Sequence, residues 1–191
     1  MTIAPDLRSA ENAVAEWLAE AGARGALIGG IAVSVLARAR TTRDVDVVVW
    51  MPSSSDWPAL IRPMSRHRLA FRPGGSLEFA LRSRVLLLVH EPSGVPVDVS
   101  LGALPIEEDL VTHAAVLTGS GLALPIPRAD DIVILKAIAG RPRDLADIDA
   151  LLAANPSIDR KRVRARVSEL ADALDAPELV DALDRAFVAR R

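Results

Sequence analysis

Apolar residues recur at helical spacing at Leu7, Ala10, Val14, Trp17, Leu18 and Ala21, and Gly22 closes the run, so the pattern predicts a helix over 7–21. The short apolar stretch 26–28 ends at Gly29-Gly30 and reads as a buried strand reaching a turn, with helical spacing resuming over 31–39. Residues 45–50 are rich in valine and stop at Met51-Pro52, which predicts a second strand. Helix, strand, helix, strand is the order of an α/β layer rather than of a bundle.

Ser53-Ser-Ser-Asp56 before Trp57-Pro58 has the capping and proline chemistry of a helix start. Pro73-Gly-Gly75 reads as a turn. Strands over 85–90 and 95–99 are joined by Glu91-Pro-Ser-Gly94 as a hairpin, and a smaller hairpin is expected around Gly119-Ser-Gly121, from 116–117 to 122–124. From Arg128 the period is helical throughout, giving segments near 128–139, 142–154, 158–172 and 177–189. The chain therefore divides into an α/β part over 1–125 and a helical part over 126–191.

Composition narrows the options. Half of the 191 residues are hydrophobic and a quarter are charged, values that suit a folded domain, and the formal net charge of −2 gives no general attraction to polyanions or membranes. Cysteine is absent, which excludes disulfides, thiolate metal sites and cysteine nucleophiles, and suits a reducing, cytoplasmic setting. His67, His90 and His113 lie far apart, without metal-ligand spacing. No apolar run approaches the roughly 18 residues of a membrane helix, and the N-terminus lacks signal-peptide patterning. The basic residues are arginines apart from Lys136 and Lys161.

The candidate chemistry begins with Asp44 and Asp46. Two apart at a strand start, their carboxylates fall on one face, where their mutual repulsion invites a cation. Hard oxygen ligands in that arrangement suit magnesium, although a bare Asp-x-Asp is also an ordinary solvated strand end. Gly29-Gly30 lies at the end of the preceding strand and opens a helix, where backbone amides approach phosphate. In Val95-Pro-Val-Asp98-Val the valines take one face and Asp98 the other, so an adjoining strand would bring Asp98 beside the first pair. Lys136 interrupts an apolar helical run and either snorkels or meets an anion. Asp144 and Asp147 are neighbours at i, i+3; Asp144 in a first turn also suits the helix dipole, whereas Asp147 is flanked by apolar residues.

Leu27-Ile-Gly-Gly-Ile-Ala-Val33 and Arg40-Thr-Thr-Arg-Asp-Val-Asp46, followed by Asp98 and by Lys136-Ala-Ile-Ala-Gly-Arg-Pro-Arg-Asp-Leu-Ala-Asp147, resemble the polymerase-beta-type nucleotidyltransferase superfamily. More narrowly they resemble its AbiEii-type group of toxin-like enzymes. The resemblance implies an α/β (α+β) nucleotidyltransferase fold, with a mixed central sheet flanked by helices and followed by a C-terminal helical bundle. It implies Mg2+ or Mn2+ on Asp44, Asp46 and Asp98, with Asp98 as candidate base. Gly29 and Gly30 would meet the triphosphate, and Arg40 and Thr42, counted with the nucleotide-binding residues, would shape the approach to the metal site. Lys136 would neutralise phosphate charge, with Asp147, and secondarily Asp144, in support.

The implied activity is transfer of a nucleoside monophosphate from a nucleoside triphosphate (NTP) to a hydroxyl, releasing pyrophosphate. The resemblance points to an RNA acceptor, tRNA in particular, and to a toxin held by a cognate antitoxin protein. The alternatives are adenylylation of a small hydroxylated molecule of the aminoglycoside or lincosamide kind, and a non-catalytic nucleotide-binding regulatory domain. Arg160-Lys-Arg162, Arg164 and Arg166 are either a tRNA-backbone patch or a solvated helix face.

Overall fold

A computed structural model describes residues 3–189. The described residues divide into two compact units, one of residues 3–32 and 41–127, the other of residues 33–40 and 128–189. The segment 33–40, inside the α/β part by sequence order, thus belongs with the C-terminal helices.

The first unit is built on a five-stranded mixed sheet: β1 (Gly25–Leu27), β2 (Val45–Trp50), β3 (Leu69–Phe71), β4 (Val85–His90) and β5 (Val95–Gly102), in the order β1-β2-β5-β4-β3. β2 and β5 run parallel; the β1–β2, β5–β4 and β4–β3 pairings are antiparallel. The β-branched pattern that marks these strands sets their burial: Val45, Val47 and Val49 of β2, and Val97 and Val99 of β5, have no exposed surface. Between them stand Asp46 and Asp98, partly exposed on the other side of their strands.

Helix α1 (Pro5–Ala21) packs against β2 and β5 through the face of Leu7, Val14, Trp17 and Leu18. It ends where Gly22 turns left-handed and Ala23 donates to the Leu18 carbonyl at 2.9 Å. Helix α2 (Gly29–Leu36) follows β1 at once; Ile31, Ala32, Val33 and Ser34 are all buried, as suits a helix apolar on nearly every side.

Three elements have no sequence-level forecast. β3 is too short to show a period. α4 (Leu77–Ser83) leaves Leu77 and Leu81 exposed, so it has no clean apolar stripe, although Ser76 caps it by accepting the Phe79 N–H. In α5 (Pro105–Thr112) proline occupies the first turn, and Glu107 reaches back to accept the Ala103 and Leu104 N–H groups. Helix α3 (Trp57–Ile61) begins where the serine-aspartate cap was expected.

The small hairpin expected around Gly119-Ser-Gly121 does not form. One bridge joins Ala115 to Ile126, and turns lie between. Glu11 holds this segment instead: its Oε1 accepts the Ala123 and Leu124 N–H groups at 2.9 and 2.6 Å, and two successive amides turned to one oxygen do not suit an extended strand, whose N–H groups alternate in direction.

The second unit is helical: the remainder of α2, α6 (Ala129–Ala139), α7 (Pro142–Ala154), α8 (Arg160–Leu174) and α9 (Glu178–Ala189). Ile132, Ile134, Ile148, Leu151, Val163, Val167 and Leu183 form its core. Asn155 ties the end of α7 to that of α2 by donating to the Leu36 carbonyl at 2.9 Å. Among the described residues no helix is long and apolar enough to cross a membrane.

Candidate functional site

In the first unit the predicted residues converge through strand register. Asp46 and Asp98 are direct partners on the parallel strands β2 and β5. Neighbouring strands lie about 5 Å apart, so two side chains in register share a face at about that separation. Asp44 stands one residue before β2, and its Oδ1 accepts a hydrogen bond from Thr42 Oγ1 at 2.8 Å, which holds the entry to the strand. Ile28 donates its N–H to the Asp46 carbonyl at 2.8 Å, so the backbone entering Gly29 is tied to the strand bearing the carboxylate.

Gly29 is glycine for two reasons. Its φ of +61° lies in the left-handed region, and a Cβ there would collide with the Asp46 carboxylate. The Asp46 side chain thus rests against bare backbone at the start of α2. Gly30, the next residue of that helix, is not among the left-handed glycines.

Arg72, for which the sequence gives no signal beyond a position before the Pro73 turn, is the unforeseen member. Phe71 is in register with Leu88 of β4, and the Arg72 N–H donates to the Leu87 carbonyl at 3.1 Å. Leu87 is itself in register with Asp98, so Arg72 and Asp98 flank one residue of β4. The Arg72 guanidinium closes that gap: its Nη1 lies 2.8 Å from Asp98 Oδ1.

In the second unit a cluster of charges surrounds two buried aspartates. Lys136 Nζ is 2.7 Å from Asp144 Oδ1 and 3.0 Å from Asp147 Oδ2. Arg40 Nε lies 3.6 Å from the other oxygen of Asp147, and Arg141 Nε 3.0 Å from the other oxygen of Asp144. Both aspartates are buried, and a carboxylate withdrawn from water is tolerated when cations surround it. Lys136 therefore has two anionic partners, and Asp144 does more than complement a helix dipole.

The arginines of the α8 basic cluster are engaged within their own unit. Arg160 donates to the Phe187 carbonyl and stacks on its ring; Arg162 meets the buried Asp131 at 2.7 Å; Arg164 grips Asp184 at 2.9 Å; Arg166 pairs with Glu169 at 2.8 Å. The bond to Asp184 holds Arg164 still more firmly in its charged form.

The donor set of the first unit is one of hard oxygens, which fits a divalent cation such as magnesium better than a softer metal. Among the described residues no group of three or more His, Cys, Asp or Glu side chains is gathered closely enough to hold an ion. The fit thus rests on the Asp46–Asp98 pair, with Asp44 two residues upstream and Arg72 on the third carboxylate.

The fold is that of nucleotidyltransferase-like proteins: a five-stranded mixed sheet with flanking helices, followed by the helical unit. The chain is similar to the crystal structure of an antigenic nucleotidyltransferase-like protein from Paracoccidioides brasiliensis, with a TM-score of 0.56 and 17% identity over 95% of this chain and 93% of that one. It is also matched, at a TM-score of 0.49 and 13% identity over 89% of this chain and 95% of the other, by the antibiotic-resistance factor ANT(2'')-Ia. No protein-family model and no curated protein matches the sequence.

Proposed function

We propose that this protein is a metal-dependent nucleotidyltransferase that moves a nucleoside monophosphate from an NTP to a hydroxyl acceptor. The observation that carries the reading is the Asp46–Asp98 register pair, with the Asp46 carboxylate against the bare backbone of Gly29 at the start of α2. Two anions are set side by side where backbone amides begin a helix, an arrangement that suits a cation and a phosphate together.

In this reading the acceptor oxygen forms a bond to the α-phosphorus while the bond to the bridging oxygen breaks, and pyrophosphate leaves. Asp98 receives the hydroxyl proton. Asp44, Asp46 and Asp98 would hold Mg2+ or Mn2+, which would supply charge neutralisation for the phosphoryl oxygens. Gly29 and Gly30 accommodate the triphosphate, while Thr42 fixes the rotamer of Asp44. By the sequence resemblance, Lys136 would neutralise phosphate charge and Arg40 would shape the approach to the metal site; within their own unit Asp144 and Asp147 hold Lys136 in place. Positioning and electrostatics supply most of the rate.

The motif running from Lys136 to Asp147 supports an RNA acceptor, tRNA in particular, and the role of a toxin restrained by an antitoxin protein. A second reading, adenylylation of a small hydroxylated molecule, is favoured by a different observation. The α8 arginines that would have met an RNA backbone are engaged in internal contacts. Incubation with each of the four α-labelled NTPs, Mg2+ and either total tRNA or a panel of aminoglycosides and lincosamides separates the two. Label on RNA supports the first, label on a small molecule the second, and no transfer to any acceptor with any nucleotide defeats both.

A further inference from the structure

Arg72 lies outside every motif by which the chain resembles nucleotidyltransferases, yet its guanidinium stands 2.8 Å from the third carboxylate. Three features of that contact bear on its purpose. Asp98 Oδ1 is shielded from water and accepts no well-directed hydrogen bond, so what reaches it from Arg72 is charge rather than a fitted bond. Both side chains keep about a third of their surface or less in solvent, 27% for Arg72 and 34% for Asp98, an exposure at which an ion pair is weak enough to exchange. The pair is also built by register: Arg72, one residue past β3, Leu87 of β4, Asp98 of β5 and Asp46 of β2 follow one another across the sheet, which sets the guanidinium beside Asp98.

We propose that Arg72 is an internal counter-ion that competes with a divalent cation for Asp98. The inference rests on the reading of Asp44, Asp46 and Asp98 as the metal-binding carboxylates. Arg72 offsets the repulsion between Asp98 and Asp46 while the carboxylates carry no ion, and it yields Asp98 when a doubly charged ion arrives. The guanidinium is then free for an anion, and planar arginine donors match phosphate oxygens well. Arg72 is thus a positioning residue that ties occupancy of the third carboxylate to what the guanidinium can find elsewhere.

The test is Mn2+ titration into the full chain, read by the electron paramagnetic resonance of free Mn2+, with thermal melts alongside. Arg72→Gln removes the charge, and Arg72→Met does so while keeping an apolar stem, should the first variant fold poorly. Both are expected to bind Mn2+ about three- to fivefold more tightly than wild type, as release of a weak ion pair implies. Asp98→Asn should weaken Mn2+ binding, and adding Arg72→Gln to it should bring no further change, because the competition needs both partners. A purely structural Arg72 would lower the melting temperature without tightening Mn2+ binding. Affinity in both Arg72 variants within about twofold of wild type, or weaker, overturns the inference when the Asp44→Asn, Asp46→Asn double variant has lost Mn2+. If that double variant binds Mn2+ as wild type does, the ion lies elsewhere and the functional reading fails together with this one.

Discussion

Gly29 and Asp46 are in contact across the turn from β1 into α2: the place where a glycine Cβ would stand is filled by the aspartate carboxylate. A residue chosen for its missing side chain and a residue chosen for its charge therefore share one small space. Gly29→Ala would force a left-handed alanine and push the Asp46 side chain out of register with Asp98. The expected cost is about 2 kcal/mol or more in urea unfolding, with loss of nucleotidyl transfer. An alanine variant of wild-type stability and rate would show that the close approach has no role.

Asp46→Asn keeps the shape of the side chain and removes its charge. The variant is expected to fold normally by circular dichroism and to lose about a hundredfold or more in transfer rate, as when a preorganised charge is deleted from a reacting centre. Retained activity would place the chemistry away from β2 and β5.

The charge cluster around Lys136 predicts a contrast within the helical unit. Lys136→Met leaves Asp144 and Asp147 buried with only the more distant arginine contacts, and should cost about 3 kcal/mol of stability. Arg164→Ala, on an exposed pair with Asp184, should cost about 0.5 kcal/mol or less. Equal effects in chemical denaturation would contradict the burial argument.

Glu11 supplies a pH test of the loop it holds. Desolvation raises its carboxyl above the ordinary value of 4.5, against the lowering influence of the Leu124 and Ala123 N–H groups and of Arg8. Oε1 carries both amide bonds, while Oε2 is buried without a partner, which is where a proton would sit. The folded chain thus holds this proton at higher pH than the unfolded chain, so the group's contribution to stability grows as pH falls through the raised value toward 4.5. Relative to Glu11→Gln, wild type should gain stability as pH falls from neutral toward 4.5 in urea titrations. A gain in the opposite direction would mean that Glu11 is held as a stabilised anion.

Much of this protein is legible in its sequence because local periodicity reports burial directly. Val45 and Val47 of β2 and Val97 and Val99 of β5 flank Asp46 and Asp98 because the valine face of each strand is packed while the aspartates keep some contact with solvent, and α6 ends at Gly140 and α7 opens on Pro142, as glycine and proline signal. The left-handed turn at Gly29 is likewise written in the chain. What the sequence could not decide was partnership. That β5 lies parallel to β2, pairing Asp98 with Asp46, depends on strand order, and strand order is set by how whole layers bury their apolar faces. The same holds for Arg72, brought to Asp98 across β4; for Glu11, which takes the amides of an expected hairpin; and for the α8 arginines, which met carboxylates and a carbonyl of their own unit. An ionised side chain is satisfied by whatever the fold carries to within hydrogen-bond reach, and that choice is made by packing between elements distant in sequence.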